Sequence, residues 1–344
     1  MELKKDRTFS IWLSLINQVA AILVVILHQY NILEIEFPRN LVITFISHGI
    51  CTAAVPTFFF LSGYLFWNDA CDWRSIKSKL KRRVFTIFLP FIIWNSIYAL
   101  FFILCGKSWT EINLSEIVSS VFLYKYYFPM WFLFQLMIYF ALSPLLFYLL
   151  LKAVNVNTLV ISSIVILSVV SLFFRNSISF EFNGFERTII QFNFLIYFLF
   201  GLWLSKQKII ISKITLPNLW ILIILFFLSS FFSSLLFDGY IDVFYKRLFV
   251  PLVFLSFMLM MLKIAQIWHT GKLSLLGGVA PISLYFIHGL SGILLINICE
   301  YIGWQNSLFR YFFLCIGSIS LSILCAKFLK ELFPKVYKIL CGNR

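Results

Sequence analysis

The stretch IWLSLINQVAAILVVILHQYNIL, from Ile11 to Leu33, predicts the fold of this sequence. It holds 23 residues without a formal charge, and a helix of that length is long enough to cross the ~30 Å hydrocarbon core of a bilayer. Two of its polar residues, Asn17 and His28, stand 11 positions apart, almost three turns, so both side chains project from one face. An ionisable residue inside a membrane helix indicates a functional site. His28 is therefore the first candidate site residue, as a general base. The other interpretation is a histidine that is bonded to a neighbouring helix or reaches the membrane interface.

The composition of the whole sequence is that of a membrane protein. Of its 344 residues, 61% are hydrophobic and 12% are charged, against about 25% charged residues in ordinary soluble domains. The formal net charge of +14 could suggest nucleic acid as a partner. Cytoplasmic loops rich in Lys and Arg explain this charge more simply, so no nucleic-acid partner is expected. The seven cysteines are scattered without ligand spacing, and no metal site is predicted.

Apolar runs between short polar breaks predict an all-α integral membrane protein with about ten transmembrane helices. The predicted spans are residues 11–33, 41–67, 84–105, 129–151, 158–174, 189–205, 216–237, 248–268, 280–301 and 309–328. With the N-terminus inside, the cytoplasmic segments hold 20 of the 28 basic residues. This asymmetry predicts that both termini are cytoplasmic.

No loop between these spans is long enough to form a second domain, so residues 1–344 are interpreted as a single membrane domain without a separate soluble domain. The longest outer loop, from Gly106 to Phe128, has room for a short interfacial helix. The stretch KFLKELFPKVYKIL, residues 327–340, predicts a basic amphipathic tail on the inner leaflet.

Small and polar residues in the second span allow two interpretations. Ser62 and Gly63 form a small-residue pair that permits either close helix packing or a ligand against the backbone. Pro56 in the same span, and Pro90 in the next, are expected to kink their helices.

The third span begins with a basic cluster. Lys81, Arg82 and Arg83 stand at its cytoplasmic mouth, where they could reflect ordinary topology or could hold a phosphorylated cytosolic ligand. Asn95 in this span and Gln135 in the fourth need polar partners inside the membrane.

The ninth span contains a second polar stripe. Tyr285, His288 and Ser291 follow one another at intervals of three residues. Counted from the inner end of each helix, His288 is expected about 13 Å lower than His28. Unless helix tilt brings them level, the two histidines are not expected to act on one atom.

Five stretches, taken in order, resemble the motifs of acyltransferase family 3, polytopic bacterial membrane proteins that O-acylate surface carbohydrates. They are LINQVAAILVVILHQYN, VPTFFFLSGYLF, KRRVFTIFLPFIIW, PMWFLFQLMIY and ISLYFIHG. The family's first helix usually carries an arginine 11 residues before its histidine, and this sequence has Asn17 there. Asparagine keeps hydrogen-bonding capacity but lacks the charge and the bidentate fork of arginine. Either another cation compensates, or donor binding differs, or activity is lost.

The resemblance implies a membrane O-acetyltransferase of the bacterial cytoplasmic membrane. It would move an acetyl group from acetyl-CoA, a substrate and not a bound cofactor, to a hydroxyl of a cell-surface polysaccharide or its lipid-linked precursor, such as O-antigen or capsule. His28 would be the catalytic base, His288 a second catalytic histidine, and Arg83 part of the donor site beside Lys81 and Arg82. The supporting residues would be Asn17, Ser62, Asn95, Gln135 and Tyr285, with Asn95, Gln135 or a backbone N–H stabilising the oxyanion.

Two other functions stay open at this point. A transporter or flippase of a lipid-linked saccharide would also suit ten spans with polar residues inside. Against it stand the lack of paired intramembrane carboxylates and the Lys81–Arg83 cluster at one helix mouth. An inactive relative kept as a scaffold is the third interpretation, because of Asn17.

Overall fold

Helices make up nearly all of the chain that the structure describes. A computed structural model describes residues 7–33, 40–68, 72–106, 114–152, 155–173, 177–182, 185–207, 213–235, 242–268, 274–305 and 307–342. The helices, in chain order, are α1 (Arg7–Leu33), α2 (Leu41–Thr44), α3 (Ala54–Trp67), α4 (Trp73–Arg83), α5 (Leu89–Gly106), α6 (Leu114–Phe122), α7 (Trp131–Ala141), α8 (Ser143–Lys152), α9 (Val156–Phe173), α10 (Phe192–Lys206), α11 (Leu219–Leu235), α12 (Asp242–Ile267), α13 (Pro281–Tyr301), α14 (Leu308–Leu332) and α15 (Pro334–Leu340).

Seven helical stretches of the described residues are long and apolar enough to cross a membrane. They are Arg7–Gln29, Leu41–Trp67, Trp73–Leu104, Phe128–Lys152, Leu248–Ile267, Pro281–Tyr301 and Leu308–Leu332. Three shorter apolar helices, Val156–Val170, Phe192–Lys206 and Leu219–Leu235, lie where the fifth, sixth and seventh spans were predicted. The all-α, multi-pass membrane architecture is therefore confirmed. The count of ten spans and the cytoplasmic position of both termini stay predictions.

The chain divides into two compact units. The first unit comprises Met1–Phe58 and Lys208–Leu332, and the second comprises Phe59–Gln207 and Phe333–Arg344. In the first unit α1 packs against α12, α13 and α14, and α11 packs against α12. Trp12 at the start of α1 is buried and its indole N–H donates to the carbonyl of Met258, 3.4 Å away. The assignment of both units to one membrane domain stays a prediction.

In the second unit α3 and α10 pack backbone to backbone through two glycines. A Cβ at Gly63 would overlap the carbonyl oxygen of Phe198, and a Cβ at Gly201 would overlap the carbonyl oxygen of Phe60. Only hydrogen in place of a side chain permits such an approach. Of the two interpretations of Ser62–Gly63, close helix packing is thus confirmed for Gly63. Ser62 itself is half-buried.

Irregular helical turns precede both membrane prolines. A π-helical turn, Phe45–Gly49, and a 3₁₀ turn, Ile50–Ala53, lead into α3, whose third residue is Pro56. Another π-helical turn, Val84–Phe88, leads into α5, whose second residue is Pro90. A proline in the first turn of an α-helix removes no hydrogen bond of that helix. The predicted distortions therefore occur, but just before each proline, and α3 and α5 start regularly.

A β-hairpin and a short helix lie between the longer helices of the second unit. The expected short helix of the 106–128 loop is present as α6. Strands β1 (Ser177–Phe182) and β2 (Phe185–Gln191) pair antiparallel, with Ser177 opposite Gln191. The sixth span was predicted to begin at about residue 189, and α10 begins three residues later, at Phe192. The chain stays extended until Gln191 because the strand pairing continues to that residue.

The predicted C-terminal tail is part of two helices. Its first half continues α14 to Leu332, and its second half forms α15, in which Tyr337 is buried. Trp94 of α5 donates its indole N–H to the carbonyl of Leu340 at 3.0 Å, and Gly342 packs against the carbonyl of Thr86. The end of the chain is thus docked on α5, which the prediction of a surface tail missed.

Candidate functional site

Two histidines from α1 and α13 meet inside the first unit. Nδ1 of His28 lies 3.1 Å from Nε2 of His288, and the stacked rings have centroids 5.0 Å apart. The expected offset of about 13 Å between them is therefore wrong. His288 is only 1% exposed, and His28 is half-buried.

The offset was wrong because α13 does not start at the level where α1 starts. The backbone N–H of Leu276, just before α13, donates to Oε1 of Gln18 at 3.2 Å. Gln18 lies 11 residues, or about 16 Å, along α1 from Arg7. Gly277 and Gly278 have φ values of +60° and +84°, which glycine adopts without strain and which turn the chain towards α13.

The hydrogen bonds of this pair fix where its protons are. Nδ1 of His288 lies 3.0 Å from the carbonyl oxygen of Leu284. A carbonyl can only accept, so Nδ1 of His288 carries a proton and, in the neutral ring, Nε2 accepts. His28 must then donate from its own Nδ1. The lone pair of the neutral His28 ring is therefore on Nε2.

The predicted polar stripe of α13 divides between two neighbours. Tyr285 is 8% exposed, and its ring centroid lies 6.2 Å from that of His288. Ser291 donates to the carbonyl of His288 at 3.0 Å and lies 2.9 Å from the hydroxyl of Ser322 on α14. Residues spaced by three drift around a helix of 3.6 residues per turn. Tyr285 thus stays beside the histidine pair, whereas Ser291 holds α14.

Asn17 is bonded within its own helix. Its Nδ2 donates to the carbonyl of Leu13 at 2.7 Å, and the side chain is half-buried. It lies about 16 Å along α1 from His28, so it does not contact the histidine pair.

The basic cluster lies in the second unit at the end of α4. That helix starts at Trp73 because Asp72 accepts a hydrogen bond from the N–H of Ser75 at 2.7 Å. This bond lowers the pKa of the Asp72 carboxyl below its usual value.

The three cations of the cluster differ in exposure. Lys81 and Arg82 are exposed, whereas Arg83 is half-buried with its guanidinium carbon 4.9 Å from the ring centroid of Phe140. This cation–π contact holds the Arg83 side chain against Phe140 of α7. Lys81 and Arg82 are accordingly the members of the cluster that can meet a soluble ligand.

Asn95 on α5 is a buried amide. It is 1% exposed, and neither Oδ1 nor Nδ2 has a hydrogen-bond partner among the described residues. Native structures rarely leave a buried amide unpaired. Asn95 therefore keeps both hydrogen-bonding atoms available, as a supporting residue would need.

Gln135, in contrast, has a hydrogen-bond partner at each of its two amide atoms. Its Nε2 donates to the carbonyl of Thr188 at 2.6 Å, and its Oε1 accepts from the N–H of Gln191 at 3.1 Å. Tyr139, one turn along α7, donates to the carbonyl of Gln191 at 2.7 Å. These contacts tie the end of β2 to α7. The role of Gln135 in stabilising an oxyanion stays a prediction.

We expect Gln135→Leu to loosen the hairpin more than Tyr139→Phe does. Gln135→Leu leaves the carbonyl of Thr188 and the N–H of Gln191 without their side-chain partner, whereas Tyr139→Phe does so for one group, the carbonyl of Gln191. Each buried group left unpaired costs about 1–3 kcal/mol. Hydrogen exchange of the backbone amides in β2 measures the difference. Equal protection of Gln191 in both variants would contradict it.

The predicted site residues are thus distributed over both units. Asn17, His28, Tyr285 and His288 belong to the first unit, and Ser62, Lys81, Arg82, Arg83, Asn95 and Gln135 to the second. Sequence reasoning missed Gln29, a 1% exposed amide next to His28 on α1. The signal was present, since Gln29 is another polar residue within an uncharged membrane stretch.

Comparison with known protein families gives a match. A family model described as an acyltransferase domain matches residues 11–327, nearly the whole chain. Searches of curated proteins and of solved structures find no match.

Proposed function

The chain belongs to acyltransferase family 3, and on this premise we propose that it is an O-acetyltransferase of the bacterial cytoplasmic membrane. It moves an acetyl group from acetyl-CoA to a hydroxyl of a cell-surface polysaccharide or of its lipid-linked precursor. Family membership and the membrane-spanning helices make it a membrane acyltransferase. Acetyl-CoA as the donor, the saccharide as the acceptor and the cytoplasmic membrane as the location are what we propose beyond this.

The observation that carries this proposal is the hydrogen-bonded chain from Leu284 through His288 to His28. It leaves one basic nitrogen, Nε2 of His28, and holds the ring in place through the other. A general base needs a free lone pair in a fixed orientation. Neutral imidazole provides this near neutral pH without a permanent charge in the membrane.

The reaction then follows from the position of this lone pair. The acceptor hydroxyl attacks the thioester carbonyl while its proton moves to Nε2 of His28, and a carbon–oxygen bond forms. The tetrahedral intermediate collapses with cleavage of the carbon–sulfur bond, and the imidazolium returns its proton to the leaving thiolate. During the attack the positive charge on His28 is stabilised by the hydrogen bond from its Nδ1–H to His288.

The phosphates of the donor need cations, and the Lys81–Arg83 cluster supports their binding there. Lys81 and Arg82 are exposed at the end of α4, and charge-assisted hydrogen bonds from such side chains are the usual way to hold phosphate. Arg83, held over Phe140, contributes charge beside them.

We expect the double variant Lys81→Gln, Arg82→Gln to raise KM for acetyl-CoA about tenfold or more, with kcat within about twofold. Loss of ground-state binding raises KM without changing kcat, and each hydrogen bond to a charged group contributes about 1.5–3 kcal/mol. The matched control is Arg74→Gln, Lys77→Gln, two exposed cations earlier on the same helix. Equal values of KM in both double variants would contradict donor binding at Lys81 and Arg82.

The experiment that tests the function is the acetyl content of surface polysaccharide, measured by proton NMR. A strain lacking the gene is compared with the same strain carrying the wild-type gene. We expect acetyl signals to disappear in the first and to return in the second. Unchanged acetylation in both strains would overturn the proposed acceptor. Lost polysaccharide export, with acetylation of the remaining material intact, would instead indicate a transporter.

A further inference from the structure

We propose that Gln29 orients the acceptor, its amide oxygen accepting a hydrogen bond from a second hydroxyl of the saccharide whose first hydroxyl meets His28. This inference rests on the proposed function, and it assigns a specificity-determining residue to it.

The first observation is an unpaired buried oxygen. Gln29 is 1% exposed, and its Oε1 has no hydrogen-bond partner among the described residues. An unpaired polar atom in a membrane helix is unfavourable unless another group supplies the partner. Because this atom is an acceptor, the missing partner is a donor, such as a hydroxyl.

The neighbouring amides of α1 do not share this property. Asn17 donates to the carbonyl of Leu13. Gln18 donates to Ser14 and accepts the backbone N–H of Leu276. Gln29 therefore differs from both amides that precede it on the same helix.

The second observation is how the amide is positioned. A Cβ at Gly292 on α13 would lie 3.2 Å from Nε2 and 3.3 Å from Oε1 of Gln29. The amide therefore lies directly against the backbone of α13, where Gly292 leaves it room. A packed side chain holds its hydrogen-bonding atoms in one place, as an orienting residue requires.

The third observation connects this amide with the histidine pair. His28 contacts His288, and Gln29 contacts Gly292, four residues further along α13. Residues four apart share one face of a helix, about 6 Å from each other along it. A sugar ring presents several hydroxyls over such a distance. A single alcohol group could satisfy only one of the two acceptors.

The chemistry of the amide suits this task. Glutamine accepts a hydrogen bond without carrying a charge, so it can lie in the membrane interior without the desolvation penalty of a carboxylate. It also leaves the proton transfer to His28, because an amide oxygen is not a base near neutral pH.

The test uses the full-length protein in detergent micelles, with acetyl-CoA and de-O-acetylated surface polysaccharide from the deletion strain. We expect Gln29→Met, which keeps length and apolar volume but loses the acceptor, to raise KM for the polysaccharide at least tenfold. KM for acetyl-CoA should stay within twofold. Proton NMR of the product should show acetyl groups on more than one hydroxyl, which a merely structural residue would not cause.

A pair of glycine variants separates orientation from packing. Gly292→Ala pushes against the Gln29 amide, whereas Gly317→Ala on α14 meets only the side chain of Leu295. We expect Gly292→Ala to spread the acetylation over several hydroxyls as Gln29→Met does, and Gly317→Ala to leave the product unchanged.

Three outcomes would overturn the inference. If Gln29→Met acetylates the same hydroxyl with unchanged KM for the polysaccharide, Gln29 does not orient the acceptor. If KM for acetyl-CoA rises instead, the amide pairs with the donor, whose arm also carries N–H groups. If both glycine variants scatter the product alike, packing alone is responsible. In each case wild-type acetyl transfer still stands, whereas absence of transfer by the wild type would refute the proposed function itself.

Discussion

His28→Ala is expected to lower kcat for acetyl transfer by about 10²–10⁴-fold, the usual contribution of a general base. Nε2 of His28 carries the lone pair of the ring, and alanine leaves no group at residue 28 to take the proton of the acceptor hydroxyl. Values of KM for both substrates should change little. The rate is measured with purified protein, acetyl-CoA and polysaccharide from the deletion strain.

Variants of His288 test the same proton transfer. His288→Leu removes the acceptor that orients His28, and we expect a smaller loss of kcat than for His28→Ala. His288→Gln, whose amide oxygen can still accept the Nδ1–H of His28, should recover part of it. Because His288 acts through His28, the double variant His28→Ala, His288→Leu should be no slower than His28→Ala alone.

Multiplied losses in the double variant would instead show two independent roles. His48→Gln is the control in the same unit, since His48 belongs to the π-helical turn before α3 and not to the histidine pair. We expect it to keep wild-type kcat. If His28→Ala also kept wild-type kcat, the proposed base would be wrong.

The long spans could be predicted because a membrane helix needs little more than an apolar run of sufficient length. The spans at residues 11–33 and 309–328 could be predicted without knowledge of the rest of the chain, and they lie within α1 and α14. The pairing of His28 with His288 could not be predicted in this way. It depends on the level along α1 at which α13 begins. Gln18 and the turn at Gly277 determine this level through contacts between residues that are distant in the sequence.

The β-hairpin was missed although its signal is local. The segment SISFEF, Ser177–Phe182, alternates polar and apolar residues as a strand does. It was assigned to a loop because the flanking apolar runs were interpreted as spans. Gln135 was then taken for a functional amide, because its partners, Thr188 and Gln191, belong to that hairpin. The missed hairpin thus holds the polar partners that the buried amide of Gln135 needs.

The observed contacts of Asn17 say more about its role than the family pattern does. The family's arginine would carry a charge at this position, whereas Asn17 bonds only the carbonyl of Leu13 on its own helix among the described residues. The histidine pair forms without a cation at residue 17. The proposed proton transfer consequently depends on His288, which the sequence offered only as a second histidine.

Gly201→Leu is expected to destabilise the second unit by about 3 kcal/mol or more, because overpacking against backbone cannot be relieved by a rotamer change. The new Cβ would overlap the carbonyl oxygen of Phe60 and lie against the backbone nitrogen of Tyr64, so α3 and α10 would have to separate. Their separation would also open the contact at Gly63. We expect most of the variant to aggregate on size-exclusion chromatography in detergent.

The size of this effect is judged against a glycine that faces a side chain. Gly317→Ala on α14 would bring a Cβ to 2.8 Å from Cδ1 of Leu295, a flexible atom that can rotate away. We expect Gly317→Ala to change the free energy of unfolding by no more than about 1 kcal/mol. The variant protein should elute as a single peak. A stable, monodisperse Gly201→Leu protein would show that α3 and α10 can part without loss of the fold. The backbone contact between Gly63 and Gly201 would then position these helices without holding the unit together.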